Sequence, residues 1–561
     1  FVMLPDRLRS TSLTAAALAV LAALVAALYL PFLGNPPIFD DHIFFSGHLF
    51  YEYARFPLRL AQRIPPYFSL AWTHVVFGSI EAHRLVSLLL HAACAWSLFA
   101  LLRSMQLRRL AAFAGAAFFA LHPVAVYGAA YLTQRSIVLA TLFGLLALLM
   151  FLRGLRSGSL SDAIVAAALY SLSVLSKEHA ILLPAAAAAL VPLRGAKLRY
   201  AARYVGLFFA ACAPAAILVL GLARGVGSIG QVYEPHAASI MSQVTTESVS
   251  SPWAASALTQ AGLFFRYLAT WLAPSTADMA LDLRVDFMQY WAPGVALPAV
   301  LGFFAFGGTA AWLVLRGGRW ALPAWGFLYF WIMFGVEFTA VRFQEPFVLY
   351  RSYLWAPGLA IVVAAVLDRL PVRVLAVSLV PALALLSWQA HDRLKSFSSG
   401  LAIWEDAAEK LPAGPVPGGY RPLYELGREY LYAGRTADAI EVSERCLRLY
   451  PRMFDCAFAR AAIQIETRQY QKALPSILYA IALRPEDGAS RHHLGLVLEN
   501  LGCREEAKAQ YRVAVGMHFR AAEHRLMRIE TPGKGLLAPI ELPAEVDCTD
   551  LLARNPIPKP G

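Results

Sequence analysis

Residues 12–33, SLTAAALAVLAALVAALYLPFL, form an unbroken apolar run without a single charged side chain. Such a run is long enough to cross roughly 30 Å of hydrocarbon as a helix. Runs of the same kind recur near 85–102, 110–131, 134–152, 160–176, 179–193, 204–223, 294–315, 320–336, 347–367 and 371–389, eleven in all. They explain why the 561-residue chain is 58% hydrophobic and only 15% charged, where a soluble domain carries about 25% charged residues. Disorder, a disulfide scaffold and an ordinary soluble enzyme are excluded. The expected fold is all-α: a polytopic membrane helix bundle over 1–390, then a water-soluble domain over 391–530 and a C-terminal extension over 531–561. The first run is read as a span and not as a cleaved signal, since no small-residue cleavage site follows it.

The net charge of +12 is placed in short loops, which argues against nucleic acid. Arg7, Arg9, Arg103, Arg108, Arg109, Arg153, Arg156, Arg194, Lys197, Arg199, Arg203, Arg316, Arg319, Arg369 and Arg373 all fall on one side under the eleven-span count. By the positive-inside rule that side is cytoplasmic, and so is the N-terminus. The stretch 257–274 is apolar but contains Arg266, and is read as an amphipathic or re-entrant piece of an external loop. The outside then receives loops 34–84 and 224–293, the turn 337–346 and the tail. The expected location is a bacterial inner membrane with the tail in the periplasm.

The tail repeats itself. Gly427, Ala461 and Gly495 are equally spaced, as are Ala439, Ala473 and Ala507, and Pro451 and Pro485 keep the same interval of 34 residues. Small residues let paired helices approach, and the proline stops the second helix. This is the tetratricopeptide pattern, which stacks into an array with a concave binding face. Its expected role is to recruit an acceptor or a partner protein. Cys94 and Cys212 lie in apolar runs as inert core residues. With the tail in an oxidising compartment, Cys446 and Cys456 flank Pro451 and are placed to bridge consecutive helices, with Cys503–Cys548 as a second pairing.

Chemistry-bearing residues gather at the outer ends of the runs. Asp40, Asp41 and His42 follow the first span amid Phe39, Phe44 and Phe45. A carboxyl there is partly desolvated and serves as a base, or holds a divalent cation through oxygen ligands. An extended Asp-Asp pair points two ways, so one acts directly, with Asp41 favoured, and the other positions it or binds a metal. His122, Gln134 and Arg135, then Lys177 and Glu178, then Arg351 place polar groups at one depth. Ions at a membrane edge mark a site by default, here a pocket for an anionic head group such as a lipid phosphate.

The ordered set Arg84-Leu-Val-Ser-Leu-Leu-Leu-His-Ala-Ala93, Leu121-His-Pro123 leading to Gln134-Arg135, Ser176-Lys-Glu-His179 and Tyr350-Arg-Ser-Tyr-Leu-Trp-Ala-Pro357 resembles the transmembrane-and-tetratricopeptide-repeat O-mannosyltransferases, within the GT-C class of membrane glycosyltransferases. The resemblance spans roughly 34–520. It implies a polyprenyl-phosphate sugar donor, an acceptor outside the cytoplasm, most simply a protein hydroxyl, and an acid in the first external loop, here Asp40 or Asp41. It carries Lys177, Glu178 and Arg135 over as donor-binding residues. The family's Glu-Arg before the Tyr-Leu-x-Pro element is Arg351-Ser352 here, and its Gly-Arg-Ala-Asp is Gln134-Arg-Ser-Ile137, without the acid. Two other readings stand beside it. One is a ligase or polymerase using a lipid-pyrophosphate oligosaccharide, which needs a larger cationic site. The other is a non-enzymatic scaffold for assembling a surface structure, which has no need of Asp40 and Asp41. A transporter is disfavoured by the lack of paired halves with interrupted helices.

Overall fold

The computed structural model describes residues 6–45, 49–55, 63–194, 198–224, 240, 251–530, 543–546 and 548–558. Lys197 and parts of the loops read over 34–84 and 224–293 and of the 531–561 extension fall outside them. The described residues are helical, without strands. The chain divides into two compact units, Phe1–Ile403 and Trp404–Gly561. Position 390, where the sequence reading divides the chain, lies inside the helix Val372–Ser396.

Seven helices of the first unit are long and apolar enough to cross a membrane: Ser12–Phe32, Ile80–Ser104, Leu132–Ser157, Arg199–Leu222, Pro293–Arg316, Ala321–Thr339 and Val372–Ser396. They fit a multi-pass membrane protein. The helices Arg109–Leu121 and Pro123–Ala129 pass the same test only as a pair, bent by 51°, which is the form of a broken span or a re-entrant loop. Pro123 causes the bend: it has no N–H to donate and holds His122 in an extended conformation. Ser161–Ser176 and Ala356–Leu367 are shorter apolar helices. The expected span 179–193 is not one helix. It consists of a tight turn Glu178–Leu182, a six-residue helix Leu183–Ala188 and a second turn Pro192–Arg194, each too short to cross alone. The expected span 347–367 likewise begins with a tight turn, Leu349–Leu354, and its helix starts only at Ala356. Pro252–Leu272, which covers all but the last two residues of the stretch read as re-entrant, is a continuous helix that is not among the seven.

Without a hydrophobic drive between helices inside lipid, close packing and internal polar bonds hold such a bundle together. Gly326 and Gly358 show the first: a Cβ on either would meet the other's backbone carbonyl, so Ala321–Phe334 and Ala356–Leu367 cross in direct backbone contact. The basic loops show the second. Arg108 donates to the Asp368 carboxylate at 3.0 Å and to the Leu370 carbonyl at 2.8 Å. Arg369 reaches the Arg319 carbonyl, and Arg194 the Ser104 carbonyl at 3.0 Å. The loops around 104–108, 194, 319 and 368–370 therefore form one end of the bundle. The helices Arg109–Leu121, Arg135–Ser157, Ser161–Ser176, Ala321–Phe334 and Ala356–Leu367 run from that end to the opposite one, where His122, Lys177, Glu337 and Arg351 lie.

The second unit repeats with the expected spacing. Helices begin at Tyr420, Phe454 and Gly488, 34 residues apart, and their partners at Thr436, Tyr470 and Arg504 keep the same interval. Ala439, Ala461, Ala473 and Ala507 are fully buried between the helices. Two disulfides join Cys446 to Cys456 and Cys503 to Cys548, each with alpha carbons 5.5 Å apart, while Cys94 and Cys212 are free and buried. Alkylation of the denatured, unreduced protein is expected to label Cys94 and Cys212 alone, and reduction to expose the other four; labelling of all six without reductant would remove both bridges.

Candidate active site

The acidic pair sits at the start of the short helix Asp41–Phe45, in a turn that decides which carboxylate faces where. Phe39 takes a left-handed φ of 45°, uncommon for a bulky residue. The turn sends Asp41 inward. Its Oδ2 accepts from the Ile38 N–H at 3.2 Å and its Oδ1 from the Thr133 N–H at 2.8 Å, and the side chain is fully buried. Arg84 fixes the same turn by donating to the carbonyls of Asn35, Pro36 and Ala130 at 2.6–2.7 Å. Asp40 remains half-buried. Its backbone N–H donates to the Tyr131 hydroxyl at 3.2 Å, and its charge acts on both Tyr131 and Tyr350, whose rings lie 6.1 Å apart.

Burial raises the Asp41 carboxyl to about 6, against the pull of the Thr133 and Ile38 amides and of Arg84. The folded chain therefore holds this proton more tightly than the unfolded chain. The associated stability is present at acid pH and is lost as pH rises between 3.8 and about 6. Asp41→Ala is expected to cost about 1–3 kcal/mol below that window, because two buried amides lose their acceptor. The deficit should narrow as pH rises through it. Thermal unfolding followed against pH checks this, and a deficit that does not change with pH would contradict it.

Beyond Tyr350 begins a chain of ions. Lys177 caps the helix Ser161–Ser176 and is 3% exposed; its Nζ lies 5.7 Å from the Tyr350 ring centre. It makes no ion pair among the described residues, and burial, with Arg63 next, lowers it to about 7. Glu178 accepts both Nη2 and Nε of Arg63, at 2.8 and 3.3 Å. Burial opposes its charge, but Arg63 and His179 hold it well below the usual carboxylate range. His179 lies 3.4 Å from Glu178 and 3.5 Å from Glu337. Glu337, fully buried, is 3.1 Å from Arg351 and 3.3 Å from Arg342. Arg351 also reaches Glu345 at 3.6 Å, and the Tyr350 hydroxyl donates to the same carboxylate at 3.5 Å.

An apolar cavity of about 750 Å³ opens beside this chain, lined among others by Leu182, Trp253, Phe303, Trp331, Gly335 and Phe338. The turns Glu178–Leu182 and Gly335–Thr339 contribute to both the cavity wall and the ion chain.

The structure thus brings together Asp40, Lys177, Glu178 and Arg351. It places other expected residues elsewhere. Arg135 is fully buried, and its donors go to the hydroxyls of Ser87, Ser69 and Thr73 at 3.1 Å and to the His83 carbonyl at 2.7 Å. It ties Ile64–Phe77 and Ile80–Ser104 to its own helix, with four of its five N–H groups engaged there. His122 stacks on Trp271 at 4.2 Å and meets the Trp271 carbonyl at 3.0 Å, so it holds the bend. Gln134 is buried, with no partner for its Oε1 among the described residues. His42 is exposed, and no group of three side chains among the described residues is arranged to hold a metal ion. Arg63, Glu337 and Arg342 were not anticipated. Glu337 carried a signal, as a lone acid ending an apolar run.

Residues 64–219 match the family model of the dolichyl-phosphate-mannose-protein mannosyltransferases. The match contains Lys177 and Glu178, but Asp40, Asp41, Glu337 and Arg351 lie outside it. No curated protein matches the chain.

Proposed function

We propose that the chain is a membrane glycosyltransferase that moves a sugar from a polyprenyl-phosphate carrier to a hydroxyl acceptor outside the cytoplasm. The observation that carries this is the half-buried carboxylate of Asp40 grouped with the ammonium of Lys177, which has no ion pair among the described residues, beside an apolar cavity. The carrier's chain lies in the cavity and its phosphate at Lys177. Asp40 accepts the acceptor's hydroxyl proton as that oxygen bonds to the anomeric carbon. The bond from that carbon to the phosphate oxygen breaks, and the carrier phosphate leaves with the electron pair. Lys177 stabilises the charge that develops on it, with Arg351 behind. Asp41 holds the loop rather than the proton. This exchanges the two roles expected from the sequence, since both Asp41 oxygens already accept backbone N–H groups.

The family match supports a mannosyl donor. Arg63, Arg342 and Arg351 already face carboxylates, leaving Lys177 as the ion-chain cation without an ion pair among the described residues. That balance favours a single phosphate over a pyrophosphate-linked oligosaccharide. The basic loops gathered at the opposite end support an outward-facing site, and the two disulfides favour an oxidising compartment for the second unit, read as tetratricopeptide repeats that recruit the acceptor.

The purified protein, given polyprenyl-phosphate mannose with a radiolabelled sugar, is expected to transfer label to polypeptides of a periplasmic extract. It should retain polyprenyl phosphate through detergent exchange in preference to the free alcohol. No transfer together with no such preference would return the scaffold reading.

A further inference from the structure

The second unit carries a pocket of its own, far in sequence from the ion chain. It measures about 600 Å³ and lies between the helices Tyr420–Tyr432 and Phe454–Glu466. Tyr424, Tyr432 and Phe458 supply aromatic walls. The Arg428 guanidinium sits 5.8 Å from the ring centres of both tyrosines, and its charge is taken by Glu425 at 2.8 Å. Glu466, exposed at the rim, makes no ion pair or side-chain hydrogen bond among the described residues. Among the described residues the pocket therefore presents aromatic rings and a Glu466 carboxylate without an ion pair, its charge felt by the His493 ring.

Tyr424 and Phe458 occupy the same position in successive repeats, 34 residues apart. Their spacing across the groove follows the spacing of packed helices, about 8–10 Å. A polyproline II segment advances about 9 Å per three-residue turn, so its successive turns meet equivalent aromatic walls. Aromatic-lined grooves bind such segments because the ligand loses little conformational freedom on docking.

We propose that this pocket binds a proline-rich polypeptide segment carrying a basic residue. The prolines lie against Tyr424, Tyr432 and Phe458, and the cation pairs with Glu466. The proposal gives the repeats a ligand class that the transferase reading leaves open. It stands or falls on binding alone, so failure of sugar transfer leaves it intact.

The test is fluorescence anisotropy with the full-length protein in detergent and a labelled peptide of repeating Pro-Pro-Lys. Saturable binding is expected, about tenfold tighter than for a Gly-Ser-Lys peptide of equal length and charge, or for a Pro-Pro-Glu peptide. Glu466→Lys, at an exposed position, should weaken the Pro-Pro-Lys peptide about tenfold and turn the preference towards Pro-Pro-Glu. Tyr424→Ala should weaken both proline peptides while Cys446–Cys456 stays bridged, which reports an intact repeat. Equal binding of the three peptides, or unchanged binding in both variants, would overturn the assignment. So would saturable binding of an oligomannose, lost in Tyr424→Ala, without any preference among the peptides.

Discussion

Asp40→Asn is expected to slow sugar transfer by about 10²–10⁴-fold, the usual worth of a positioned general base, with thermal unfolding measured beside it to separate loss of the base from loss of the fold. Asparagine keeps the shape of the side chain and removes only its basicity. Asp40 is half-buried, and it is the Asp40 backbone N–H, not its carboxylate, that donates to Tyr131. The substitution therefore leaves that turn contact in place. Asp41→Ala should behave in the opposite sense, lowering stability first and activity only as the loop 38–41 loosens. The pair of variants separates the two acids by kind of effect. Full transfer activity in Asp40→Asn would remove the base assignment, whatever Asp41 does.

What could be read from the sequence follows from how strongly physics constrains each feature. Apolar runs were legible because hydrocarbon tolerates no charged stretch, and the repeats because close helix pairs need Ala439, Ala461, Ala473 and Ala507 at fixed intervals. The disulfides were legible because Cys446 and Cys456 lie on either side of a forced reversal at Pro451. The run 179–193 misled, because apolar composition alone does not reveal that the chain breaks into short turns on either side of Leu183–Ala188. Lys177 and Arg135 gave the same signal, a cation at the end of an apolar run. Only the fold shows that three hydroxyls and a carbonyl engage Arg135, while Lys177 has no ion-pair partner among the described residues. The choice between Asp40 and Asp41 rests on the left-handed turn at Phe39, a conformation that residue type does not announce. The ion chain joins segments around 63, 178, 337 and 351, and no local pattern connects them.

Lys177 carries the other large expected effect. Burial lowers its ammonium to about 7, and Arg63, Arg351 and Arg342 add to this while Glu178 opposes it. In the free enzyme the side chain is then charged below that pH and increasingly neutral above it. An anionic phosphate restores the proton, so donor binding takes one up. Donor KM should accordingly rise as pH increases beyond about 7, approaching tenfold per unit, because a bound proton is being lost from the productive form. Lys177→Gln removes the charge at every pH. It should weaken donor binding by about ten- to a hundredfold at pH 6, the worth of one charge-assisted hydrogen bond, and flatten the pH dependence. Lys177→Arg keeps a charge that does not titrate here, so its profile should also be flat but closer to the protonated wild type. Donor binding measured against pH in the three proteins decides the point, since a merely structural lysine would give parallel curves. A steep rise of KM above pH 7 that survives in Lys177→Gln would assign the titration to another group and leave Lys177 without a role at the phosphate.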